Sequence, residues 1–105
     1  MNLLTHRTDP QIGQIVRILK GKDAGGIGII VEVLDDKFVR IADGGKRKFD
    51  QAKRKNIQHL ECTDWISSEV VNSLNESGRV TNGKLRYSVS KFKESNLTNA
   101  EEKGD

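Results

Sequence analysis

A chain of 105 residues has room for one domain and not for two. Its 34% hydrophobic and 31% charged residues are polar for a folded domain, and no apolar run nears the roughly 20 residues of a membrane-spanning helix. The single cysteine, Cys62, excludes an intrachain disulfide framework and any dependence on an oxidising compartment. The net charge of +3 is unevenly spread: residues 1–60 hold 12 Lys/Arg against 7 Asp/Glu, and residues 61–105 hold 6 against 8. A basic first half beside a weakly acidic second half points to a local anionic partner.

Residues 1–10 read as a flexible lead-in. They lack the apolar core of a signal peptide, and Asp9-Pro10 is a turn signal. A cytosolic protein is therefore expected. Residues 14–19 are rich in β-branched side chains and predict a strand. A polar, Gly-rich connection over 20–26 leads to a second strand over 27–34, in which Gly28 suggests a bulge or a close backbone approach. Asp35-Asp36-Lys37 is a tight polar turn, so the two carboxylates favour the turn rather than acid–base chemistry. A third strand, 38–41, places Glu32 of the second on an exposed face and ends at Asp43-Gly44-Gly45.

The segment 46–55 then carries six cations, Lys46, Arg47, Lys48, Lys53, Arg54 and Lys55, against one acid. Lys and Arg neutralise phosphates and release counterions, and Arg can also fork onto a phosphate or lie on a base. Phe49 sits among them as a core residue or a stacking platform, with the core favoured. Residues 56–61 predict a short closing strand anchored by Ile57 and Leu60.

Beyond Cys62, Ile66, Val70 and Leu74 recur at i, i+4, i+8. They predict an amphipathic helix capped by Thr63 or Asp64 and stopped at Gly78. Trp65 is expected to fill the gap between that helix and the strands. For residues 81–93, Leu85, Val89 and Phe92 favour a second helix over a hairpin tipped by Asn82-Gly83. Residues 94–105 have the composition of a disordered tail.

The stretch Gly13-Gln-Ile-Val-Arg-Ile-Leu-Lys-Gly21-Lys-Asp-Ala-Gly25-Gly-Ile-Gly28-Ile-Ile-Val-Glu-Val33 resembles the KOW motif, a strand, a basic Gly-containing loop and a second strand. Gly21-Lys22-Asp23-Ala24-Gly25 is similar to KOW domains of archaeal and eukaryotic large-subunit ribosomal proteins and of small bacterial ribosomal-protein-like proteins. Ala24 and Gly26 stand where many relatives carry a basic residue. The resemblance implies a mainly β fold, a five-stranded SH3-like barrel over 11–61. A helical extension over 62–93 follows it. It also implies RNA contact by Lys20, Lys22 and the backbone at Gly25 and Gly26, joined by the cluster Lys46, Arg47, Lys48, Lys53, Arg54 and Lys55.

His59 and Cys62 lie three apart without a second cysteine, and neither a Gly-x-Ser-x-Gly elbow nor a phosphate-binding P-loop is present. No metal, cofactor or catalytic activity is therefore expected. The expected function is docking onto structured RNA, ribosomal RNA of the large subunit above all, by a monomer. The rival reading is a protein-interaction module of a transcription or translation complex.

Overall fold

The computed structural model describes residues 10–104, with side chains through Ser95. The lead-in over 1–9 and Asp105 lie outside the described residues. The strands are β1 (Gln14–Ile18), β2 (Ile27–Val33), β3 (Phe38–Ala42), β4 (Lys53–Asn56) and β5 (Leu60–Ile66), followed by the helices α1 (Ser68–Ser77) and α2 (Asn82–Gly104). All pairings are antiparallel in one sheet of order β4-β3-β2-β1-β5. This is the SH3-like strand set that the sequence predicts, with two C-terminal helices.

The sheet separates two apolar clusters. Val16, Ile18, Ile30, Val39, Ile41 and Leu60 pack on one side of it. Ile15, Ile29, Val31 and Ala42 face the other way and pack against Val70, Val80, Leu85, Val89 and Phe92 of the C-terminal segment. Because both faces are covered, β2 needs no polar alternation, and it reads as a continuous apolar run from Ile27 to Val31. Burying each of these side chains contributes about 1.5–3 kcal/mol, so the helices complete the core rather than decorate it. Trp65, the last but one residue of β5, meets Phe92 edge-on, with ring centroids 5.6 Å apart at 78°, so it bridges sheet and helix as expected.

Register shifts between Gln14 and Val16 and between Ile30 and Glu32 bend the strands and help the sheet curl. Gly28 is not itself the bulge. A Cβ there would lie 3.1 Å from Ile41 Cδ1, so the close approach is that of a core side chain. In the β2–β3 turn the Asp35 carboxylate accepts hydrogen bonds from the Lys37 and Phe38 amides, each 2.8 Å. Those two amides, Lys37 first, hold its carboxyl below the usual carboxylate range.

Three boundaries differ from the sequence reading. The segment expected to close the sheet begins with a 3-10 turn, Ile57–His59, and the strand starts only at Leu60. The three-residue spacing of Ile57 and Leu60 is the period of that turn. α1 is capped by Ser67, whose Oγ accepts from the Val70 amide at 3.2 Å, and not by Thr63 or Asp64. The Thr63 hydroxyl instead donates to the Ile15 carbonyl at 2.8 Å, which keeps residues 63–66 in the sheet. Thr81 caps α2 by accepting from the Lys84 amide at 3.1 Å, which settles the hairpin alternative for Asn82-Gly83. α2 then runs to Gly104, through the polar stretch whose composition predicts disorder. Neither Gly nor Pro interrupts residues 84–103, and an established helix extends at little cost.

Candidate nucleic-acid interface

The β1–β2 loop folds on its own backbone. The Gly25 amide donates to Ile18 O at 2.8 Å, Ile18 N to Gly26 O at 2.9 Å, and Gly26 N to Asp23 O at 3.0 Å. Gly25 holds φ at +92°, and a Cβ there would touch nothing within 4 Å. The backbone at Gly25 is thus open to a phosphate or ribose, and Lys20 and Lys22 stand exposed in the same loop.

The β3–β4 loop is shaped by Asp43, whose Oδ1 accepts from the Gly45 and Arg47 amides, each at 2.8 Å. That turn aims Lys46 and Arg47 at the β1–β2 loop, where they approach the Asp23 carboxylate at 3.6 and 3.7 Å. Partly exposed ion pairs of this length contribute roughly 0–1 kcal/mol, so Asp23 gathers the cations more than it stabilises the fold. Two basic segments far apart in sequence thereby share one mouth. Lys48 points back, its Nζ donating to Gly45 O at 3.2 Å.

The run Lys53-Arg54-Lys55 does not act as one patch, because it lies in a strand and its side chains alternate. Lys53 and Lys55 pair with Ile41 and Val39, whose side chains lie in the cluster away from the helices, whereas Arg54 pairs with Arg40 on the opposite side. Arg54 lies over the Phe38 ring at 3.7 Å. Arg40 is bonded to Glu32 at 2.8 Å.

Lys55 is only 8% exposed, and its Nζ donates to Lys20 O at 2.9 Å. That bond gives Lys55 a bracing role, tying the edge strand β4 to the β1–β2 loop. Lys55→Met keeps the apolar stem and removes the donor. It is expected to lower stability by about 1–2 kcal/mol in urea unfolding, because a hydrogen bond from a charged group is lost. RNA affinity should stay within twofold if bracing is its main role, and a large loss of affinity without a loss of stability would show that Lys55 meets a phosphate.

α2 supplies a third wall that the sequence reading did not assign. Arg86, Ser90 and Lys93 lie along one side of the helix and, with Lys46, Arg47 and Lys53, line a groove of 340 Å³. Arg86 is fixed there by a 2.7 Å hydrogen bond from its Nη1 to Gly44 O. The groove's base is apolar, formed by Ile27, Ile41, Ala42 and Val89. The i, i+4, i+7 spacing of Arg86, Ser90 and Lys93 was a signal available in the sequence. Phe49 lies outside this groove, packed against the core shared with the helices, with Arg79 over its ring at 5.1 Å and bonded to Asp50.

Among the described residues no group of His, Cys, Asp and Glu is placed to hold a metal ion, and no helix is long and apolar enough to cross a membrane.

The KOW motif matches residues 12–41, from two residues before β1 to one residue short of the end of β3. A candidate ribosome-binding protein of Bacillus subtilis (strain 168), YbzG, is 46% identical over 71 residues, 68% of this chain and 96% of that protein. The large ribosomal subunit protein eL14 of Saccharolobus islandicus (strain L.S.2.15) is 39% identical over 56 residues, 51% of this chain and 56% of eL14. The eL14 of Saccharolobus solfataricus matches to the same extent. The chain thus spans nearly all of the bacterial relative and just over half of the archaeal ones.

Proposed function

The chain belongs to the KOW family, and on that premise we propose that it is a non-catalytic protein that docks onto structured RNA of the ribosome. The observation that carries this reading is the convergence of the β1–β2 and β3–β4 loops at Asp23, which gathers basic residues from two parts of the chain around an open Gly25 backbone. Such a surface suits phosphate oxygens presented along a folded backbone, and cations placed there bind by releasing counterions. The names of the relatives support the partner: ribosome binding for YbzG, membership of the large subunit for eL14. Readout is by shape and phosphate, as A-form helices hide their base edges in a deep, narrow groove. In this reading the protein is cytoplasmic and works as a monomer, ribosomal RNA of the large subunit being its partner.

Sedimentation of the tagged full chain in lysate through a sucrose gradient tests the proposal. Co-migration with large subunits at low salt, weakened at high salt, is the expected result. Migration as free protein at low salt would sink the ribosomal reading and leave a protein-interaction module of a transcription or translation complex in its place.

A further inference from the structure

The groove between the two loops and α2 differs from a plain phosphate-binding surface. Its charged lining is net cationic, with Lys46, Arg47, Lys53, Arg86 and Lys93 against the carboxylates Asp23 and Asp43, and the rest is built largely of aliphatic side chains. A phosphate alone gains nothing from an aliphatic base, whereas a nucleobase offers an apolar face and polar edges. The volume of 340 Å³ falls at the lower end of the ~300–1,000 Å³ typical of small-ligand sites. Arg47, which lines it, has a buried Nε that finds no acceptor among the described residues. A buried N–H without an acceptor is unfavourable, so this side chain gains by rearranging to meet one.

We propose that this groove takes one unpaired nucleotide extruded from an RNA helix, its base against Ile27, Ala42 and Val89 and its flanking phosphates on Arg47, Lys53, Arg86 and Lys93. The inference rests on the RNA-docking reading and adds to it the class of RNA recognised: a duplex interrupted by a bulge, since a fully paired helix cannot present a free base face. Two parts of the protein divide the work. Lys20 and Lys22, with the cations Lys46, Arg47 and Lys53 at the mouth, meet the paired backbone, and the apolar part of the groove beside α2 reads the interruption. α2 is then a recognition element and not only a cover for the sheet.

The test compares a blunt RNA duplex with the same duplex carrying one bulged adenosine, each titrated into the full-length protein by fluorescence anisotropy. The bulged RNA should bind about tenfold more tightly, within what burying one base face against aliphatic side chains contributes at roughly 25 cal/mol per Å² of apolar area. Ser90→Leu puts a neutral, helix-compatible side chain into the groove from an exposed position. It should abolish the preference and leave binding of the plain duplex unchanged. Equal affinity of the wild type for both RNAs, or a preference that survives Ser90→Leu, overturns the groove proposal while leaving RNA docking intact. Binding to neither RNA overturns both, and saturable binding of an acidic peptide in its place would assign the groove to a protein partner.

Discussion

Gly44→Ala is expected to destabilise the protein by about 3–5 kcal/mol, of a total that for domains of this size is ~5–15 kcal/mol. Two costs combine. Gly44 holds φ at +83°, a conformation that costs an L-residue about 1–2 kcal/mol. Its position also leaves no room for a methyl group. A Cβ would overlap Asn82 O, reach Leu85 Cβ at 2.9 Å and stand 3.0 Å from Arg86 N. These are mainly atoms of the first turn of α2, which can yield only if the helix moves. That turn is tied down by a 2.8 Å hydrogen bond from Phe49 N to Asn82 Oδ1 and by Arg86 on Gly44 O. Moving it would expose Leu85, Val89 and Phe92, all buried. Thermal denaturation should show Tm lowered by roughly 15–25 °C. Gly25→Ala is the internal control, with φ at +92° but open space around the new methyl, and it should cost only about 1 kcal/mol. Similar Tm values for the two variants would mean that α2 does not sit on the β3–β4 loop.

The same seat explains why the fold was more legible in the sequence than the site. Strand identity followed from side chains that need a pleated, doubly covered surface: Ile15 and Ile29 on one side, Val16 and Ile30 on the other. Those preferences are local, and so are the turns at Asp35 and Gly78. Lys53, Arg54 and Lys55 show where local reading stops. In sequence they are one charge run, but their pairing with β3 sends alternate side chains to opposite faces, and a neighbouring carbonyl at Lys20 takes up Lys55. Nothing in a three-residue window distinguishes Lys55 from Lys53. The partnership of Asp23 with Lys46 and Arg47 likewise depends on two loops meeting across the sheet. The α2 wall differs in kind, because its signal is local. Leu85, Val89 and Phe92 form a buried stripe legible from their spacing, and Arg86, Ser90 and Lys93 run along its border. A residue beside a buried stripe lies at the rim of whatever the helix packs on, so those cations were placed next to the sheet by the same periodicity that defined the helix.

Replacing Lys46, Arg47 and Lys53 together by Gln is expected to weaken binding of duplex RNA on the order of 100-fold at 0.1 M salt, if each meets one phosphate. The slope of log affinity against log salt should become shallower by about 0.7–0.9 for each phosphate no longer neutralised, or ~2–3 in all. The slope is the more telling quantity, since a variant that merely loosened the loops would lose affinity at every salt concentration and keep its steepness. Stability should change little. Lys46 and Arg47 pair only weakly with Asp23, and removing both leaves a partly buried carboxylate, 22% exposed, that water still reaches. Lys91→Gln serves as the comparison, because Lys91 turns to the other side of α2, toward Tyr87 and Glu94, yet carries the same charge on the same helix. If the protein is merely attracted to RNA by its net charge of +3, each single loss should matter alike, and Lys91→Gln should shift the slope as much as any one of the three. If the mouth gathered by Asp23 is where RNA docks, Lys91→Gln should leave the slope within experimental error, and the weakening should appear only when cations at that mouth are removed.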